Sequence, residues 1–161
     1  MIVKNYELEK NINKVINKNF MLLYGENEGQ KKDIVKLVKK EFKQAEYYNY
    51  FQNEILKNQS LILSHLESGS LFSKSKIILM YDVNDKAFNL IDEIVQMKIN
   101  DIKIIIISNN LDKKSKLRNL FEKNPNTIVC ACYEDTEFTL RKYIEEKLKN
   151  ISKLNSDMVD F

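Results

Sequence analysis

The chain has 161 residues, 43% of them hydrophobic and 30% charged, with a formal net charge of +3. That length suits one compact domain with a small appendage, and the apolar fraction fills a core. The near-balanced charge excludes a protein held to nucleic acid by bulk charge alone, since only lysines gathered on one face would do that. Of the 26 basic residues only Arg118 and Arg141 are arginine, and Asn and Ile abound beside Lys, as AT-rich codons would produce. No apolar run is long enough to span a bilayer, and Met1-Ile2-Val3-Lys4-Asn5-Tyr6 lacks the regions of a signal peptide. A cytoplasmic protein without a membrane partner is expected.

Helical and strand patterns then alternate. Tyr6 to Asn17 reads as a helix with Leu8, Ile12, Val15 and Ile16 on one face. Phe20-Met21-Leu22-Leu23-Tyr24 is a buried strand stopped by Gly25. Lys31 to Phe42 is an amphipathic helix, and the aromatic run from Glu46 to Phe51 is a strand. Ser60 is placed to cap a helix through Leu61, Ile62, Leu63 and Leu66, which Gly69 ends. There follow strand Lys76–Tyr81, helix Lys86–Lys98, strand Lys103–Ser108, helix Lys114–Lys123, strand Thr127–Tyr133 and a helix from Thr136 to Lys153. Such alternation predicts an α/β fold: a mostly parallel sheet in a three-layer arrangement, with helices on both faces. Residues 1–135 form that domain, and 136–161 start another helical unit. Cys130 and Cys132 fall on one face of a strand, as two buried, reduced thiols. With one histidine, His65, far away in sequence, no metal site and no catalytic residue is assigned.

A parallel sheet holds ligands at the carboxyl ends of its strands. The first such turn is Gly25-Glu26-Asn27-Glu28-Gly29-Gln30-Lys31-Lys32. A working phosphate loop reads G-x-x-x-x-G-K-[ST], in which amides cradle phosphate, Lys neutralises charge and the hydroxyl binds Mg²⁺. Gly25 and Lys31 keep that register, with Gly29 between them. Gln30 replaces the second glycine, Lys32 replaces the hydroxyl, and Glu26 and Glu28 bring charge of the wrong sign. Further along, Asp82 stands where a metal-binding acid would, but Val83 cannot activate water. Asp82 and Asn109 read as turn residues at strand ends. The loop is therefore a degenerate phosphate site, and no cofactor is expected.

Between the third helix-forming stretch and strand Lys76–Tyr81 lies Gly69-Ser70-Leu71-Phe72. Two large apolar neighbours on a connector either fold back onto the core or enter a partner's pocket. The order of Phe20–Glu28, Gly69–Phe72 with Lys76–Leu79, and Ile104–Ile107 with Leu111–Leu117 resembles the delta subunit of the bacterial DNA polymerase III clamp loader. The resemblance spans essentially the whole chain. It implies a P-loop, AAA+-like domain that has lost ATP hydrolysis, in a subunit of a DNA-directed DNA polymerase (nucleotidyltransferase) holoenzyme. It assigns Ser70, Leu71 and Phe72 to binding the sliding clamp (the beta subunit), whose ring the subunit helps to open. It implies contact with other clamp-loader subunits in a full-length protein, and with DNA only indirectly. The family often carries an apolar residue or Gln just before Ser-Leu-Phe, where this chain has Ser68 and Gly69. Its chains are roughly twice this length, continuing through a helical lid and collar. Lys74 and Lys76 are placed either to steer a clamp or on a solvated strand edge. Two other readings stand beside this one: an atypical P-loop nucleotide-binding protein using Gly25, Gly29, Lys31 and Asp82, and a DNA-binding domain using Lys31–Lys43.

Overall fold

Strand β1, Phe20–Tyr24, is buried at every position, which is what its unbroken apolar sequence requires. In this computed structural model the described residues are 17–67, 75–97, 99, 101–137, 139–141, 144 and 148. After β1 come α1 (Glu28–Glu41), β2 (Glu46–Phe51), α2 (Gln52–Lys57), α3 (Gln59–Glu67) and β3 (Lys76–Tyr81). A 3₁₀ turn at Asp85–Ala87 leads into α4 (Phe88–Gln96), then β4 (Ile102–Ser108), α5 (Lys116–Lys123) and β5 (Thr127–Ala131).

All five strands run parallel in the order β2-β3-β4-β1-β5. Leu22 of β1 lies opposite Ile106 of β4 on one side and Val129 of β5 on the other. Because side chains alternate across a strand, each strand feeds two cores. Phe20, Leu22, Ile78, Met80, Ile104 and Ile106 join α2, α3, α4 and α5 on one face. Met21, Leu23, Ile77, Leu79, Ile105 and Ile107 meet Ile34, Val35 and Val38 of α1 on the other. This is the three-layer α/β arrangement that the alternation predicts. Only β2, at an edge, alternates half-buried with exposed residues.

The strand assignments hold closely, and the helix starts shift. The helix expected from Lys31 begins at Glu28, because Asn27 caps it: its Oδ1 accepts from Gln30 N at 3.0 Å. Ser60 is not a cap. It lies inside α3, whose first turn closes on the Asn58 carbonyl, taking Leu61 N and Ile62 N at 3.1 Å each. Helix α2 is absent from the sequence reading. Its apolar signal is the adjacent pair Ile55 and Leu56, of which only Ile55 is buried, and Glu54 stabilises its start by accepting from Phe51 N at 2.8 Å. Strand β4 begins one residue early and buries Lys103, whose Nζ reaches Lys18 O while burial pushes its pKa down to about 8. The expected helix at Tyr6–Asn17, except Asn17 itself, and the glycine stop at Gly69 lie outside the described residues. Beyond Thr136 the described residues 137, 139–141, 144 and 148 are helical.

Helix α5 is tied to the β3–α4 turn by one carboxylate. Asp85 Oδ1 accepts from Ser115 Oγ at 2.7 Å and Leu117 N at 3.0 Å, and Oδ2 from Lys116 N at 3.1 Å. Burial raises the Asp85 pKa, but the hydrogen bonds from Leu117, Ser115 and Lys116 outweigh it and hold the group below its ordinary value. A lowered folded pKa contributes stability above the unfolded value of about 3.9, which disappears as pH falls through the folded one. Asp85→Ala should therefore cost about 1 kcal/mol at pH 7, a few degrees of melting temperature. The difference from the parent should shrink below about pH 4, which thermal melts across pH 2–7 will check.

Candidate functional site

The turn after β1 is three residues long, Gly25 to Asn27, before α1 begins. Gly25 has φ +124°, and a Cβ there would sit 2.1 Å from the Cys132 carbonyl oxygen. Only glycine allows the loop to pass so close to the end of β5. Gly25 N donates to Asn109 O at 3.2 Å, Asn27 N to Cys132 O at 3.0 Å, and Cys132 N to Tyr24 O at 2.7 Å. The loop is thus sewn to the ends of β4 and β5. Gly29 differs. It sits in the first turn of α1, where an added Cβ would have Asn27 Oδ1 at 3.5 Å, an ordinary contact.

Lys31 is buried, 2% exposed, and turns its ammonium back into the loop. Nζ donates to Gly25 O at 2.9 Å and Ser108 O at 3.1 Å, and pairs with a Glu28 carboxylate oxygen at 2.6 Å. An ammonium has three donors, so these acceptors use all of them. The amides that would cradle a phosphate are engaged too: Glu28 N on Glu26 O, Gln30 N on Asn27 Oδ1 and Lys31 N on Asn27 O. Glu28, an obstacle to phosphate in the sequence, supplies the carboxylate that neutralises Lys31.

Asn27 is the residue sequence reasoning passed over. It caps α1, and its Nδ2 donates to Asp135 Oδ2 at 2.8 Å. Its position just before the helix was the available signal. Tyr24 closes the same end of the sheet. Its hydroxyl is 3.3 Å from that of Tyr133, and the Arg118 guanidinium lies 5.0 Å from its ring centroid. Burial, then the Tyr133 hydrogen bond, push the Tyr24 phenol well up. Asp82 is exposed in the left-handed region at φ +57°, which Asp tolerates in turns. Asn109 contributes its carbonyl to Gly25. Cys130 and Cys132 are both buried free thiols in the core beneath α1.

The structure therefore brings Gly25, Gly29 and Lys31 together at one strand end. Ser70, Leu71, Phe72 and Lys74 lie outside the described residues. Lys76 does not sit on a solvated edge and cannot steer a partner. It is 6% exposed, because its ammonium finds the His65 carbonyl at 3.4 Å. Lys31, likewise, is not part of a basic face on α1. Among the described residues no three or more His, Cys, Asp or Glu side chains group as a metal site, and no helix is long and apolar enough to cross a membrane.

Comparison with known proteins decides the family. The family described as DNA polymerase III, delta subunit, matches residues 21–132, well over half of the chain. The chain belongs to the DNA polymerase III delta subunit family. No curated protein sequence matches it. Among solved structures, the delta chain is similar to the Bacillus subtilis DNA clamp loader delta protein, YqeN, with a TM-score of 0.64 and 12% identity. That similarity covers 82% of this chain and 43% of the Bacillus protein, so the chain spans less than half the length of that relative. At such identity the likeness is one of fold, and it agrees with the AAA+-like sheet.

The two glycines make opposite predictions for this delta chain. Gly25→Ala forces an L-residue into a positive φ against a backbone carbonyl and should cost at least ~2 kcal/mol. Gly29→Ala, in a helical turn with room for a methyl group, should be neutral or stabilise by up to ~0.5 kcal/mol. Urea unfolding of both variants measures the contrast.

Proposed function

We propose that this chain is the clamp-contacting domain of a clamp-loader delta subunit, which grips the sliding clamp and helps open the ring without hydrolysing ATP. Family membership supports the role, and the observation that carries it is the phosphate loop closed on itself. Lys31 has given its three donors to Gly25, Ser108 and Glu28, and the amides behind it are capped by Asn27. A nucleotide would have to displace buried, charge-neutralising contacts that the chain already makes. Energy for loading would then come from other clamp-loader subunits, which with the clamp are the protein partners. The domain would belong to the DNA-directed polymerase holoenzyme, reach DNA indirectly and work in the cytoplasm beside it.

The grip is assigned to Leu71 and Phe72, with Ser70 holding the turn. Their connector follows α3 and precedes β3, so it joins the sheet at the end away from the phosphate loop. Burying each side chain contributes roughly 1.5–3 kcal/mol, enough for two anchors to dominate a modest interface. Residues 136–161 are proposed as the start of the helical lid. Leu140, Ile144 and Leu148, spaced by four, are about half exposed, as a helix awaiting further packing would be.

Two measurements test this reading. Leu71→Ala with Phe72→Ala should weaken clamp binding more than a hundredfold, the loss of roughly 3 kcal/mol or more, while the melting temperature stays within about 2 °C. A stability collapse with clamp binding otherwise intact would return both side chains to the core. Separately, ATP with Mg²⁺ at a concentration a hundred times a site's Kd would stabilise a genuine binder by about 2.7 kcal/mol. Here the expected shift in melting temperature is nil, and turnover should be absent.

A further inference from the structure

The chain leaves β5 alongside the closed loop and is bonded to it repeatedly. Cys132 N donates to Tyr24 O at 2.7 Å, and Cys132 O accepts from Asn27 N at 3.0 Å. The Tyr133 hydroxyl lies 3.3 Å from that of Tyr24, and the two rings meet edge-on with centroids 6.1 Å apart. Asp135 comes next but one, and its carboxylate faces two ways. Oδ2 accepts from Asn27 Nδ2 at 2.8 Å, while Oδ1 accepts from the Thr139 hydroxyl at 3.1 Å. That hydroxyl also reaches Thr136 O at 3.0 Å, but a charged acceptor makes the stronger bond. Thr139 belongs to the helical segment that begins beyond Thr136. Its first turn closes through Thr139 N on Thr136 Oγ1 at 3.2 Å and Leu140 N on Thr136 O at 2.9 Å. Asn27 is the cap of α1. One carboxylate therefore stands between the amino ends of two helices, and negative charge is favoured at both.

We infer that Asp135 is a bridge that couples the phosphate loop to the helix after β5, with Asn27 as its positioning residue on the loop and Thr139 on the helix. The five residues from Cys132 to Thr136 have no regular structure, and 133–136 are exposed. Backbone geometry alone would leave such a junction free to swing. The side-chain bridge removes that freedom. In a fold that binds ligand at the carboxyl ends of its strands, whatever is bonded to the ligand loop follows its movements. Here the loop's polar groups are already engaged by Lys31, Glu28 and Asn27. The bridge thus ties the helix to a closed loop, and the direction of the helix is set by the chain itself with no ligand in place. Asn27 serves both ends of this device: Oδ1 caps α1 and Nδ2 holds Asp135. The inference stands apart from what the domain grips, since it uses only the loop, the exit from β5 and the helix.

The experiment is a double-mutant cycle on the full chain with two readouts. One is the distance between spin labels at Lys36→Cys on α1 and Leu148→Cys on the helix, both exposed positions, the native thiols of Cys130 and Cys132 being buried. The other is hydrogen exchange at the Leu140 amide. The parent should give one narrow distance. Asn27→Ser keeps an oxygen to cap α1 but has no Nδ2 to hold Asp135, so it separates the bridge from the cap. Asn27→Ser and Asp135→Ala should each broaden the distance distribution and speed Leu140 exchange about five- to tenfold, while amides of β1 and β4 keep their rates. Asn27→Asp also keeps the cap but sets two carboxylates face to face, and should do the same. Combining Asn27→Asp with Asp135→Asn turns the hydrogen bond round, and should restore both readouts. Unchanged distance and exchange in Asn27→Ser and Asp135→Ala would overturn the bridge. So would equal acceleration at Leu140 and in the strands, which marks a general loss of stability, and so would failure of the reciprocal exchange to restore the parent's behaviour.

Discussion

One buried ammonium organises the carboxyl end of this sheet. Lys31 leaves α1, crosses the loop and meets acceptors from the β1 turn, the end of β4 and its own helix. Stripping an ammonium of water costs several kcal/mol, and the cost is recovered only when geometry and charge are both satisfied. Here two carbonyls and one carboxylate satisfy it. Removing any one would leave a buried donor open, so the short loop, the capped helix start and the Gly25 approach to Cys132 are mutually dependent. A phosphate loop poised for ligand keeps such donors for its nucleotide. In this chain they are already committed.

That commitment was half legible in the sequence. The register of Gly25 and Lys31 after an apolar strand pointed to a phosphate loop, and Gln30 and Lys32 pointed to its loss. Glu28 was read only as charge unfavourable to phosphate, because composition gives charge and not direction. It also pairs with the Lys31 ammonium. Asn27 carried a readable capping position, but its bond to Asp135 joins residues far apart in the chain, and no local pattern encodes that. The strands were legible because burial on both faces writes itself as continuous apolar runs. Helix α2 was not, since a six-residue helix with one buried side chain leaves no periodicity. Lys76 and Lys103 were illegible for a related reason. A lysine's sequence reads as solvated, and only tertiary contacts reveal that its carbon stem and its charge are both accommodated.

The two ends of the sheet thus differ in kind. At the carboxyl end the Lys31 ammonium and the loop amides of Glu28, Gln30 and Lys31 bond to the protein itself. At the amino end Lys76, the first residue of β3, turns inward and donates to the His65 carbonyl of α3. Strand β3, between β2 and β4, runs from one end to the other and is buried for nearly its full length. Close-packed interiors of this sort resist continuous deformation.

For the role proposed here, rigidity is the useful property. An ATPase module must let its loop respond to the presence or absence of a γ-phosphate, and it keeps part of its stability in reserve for that response. A gripping module has no such need. Any slack between anchor and domain would be taken up before force reached the partner's ring. Closing the phosphate loop with Lys31 and Glu28 removes one source of slack. Lys76, at the start of β3, likewise turns inward onto a backbone carbonyl. The lysine richness that at first suggests a nucleic-acid surface is, at these two positions, spent on internal bracing.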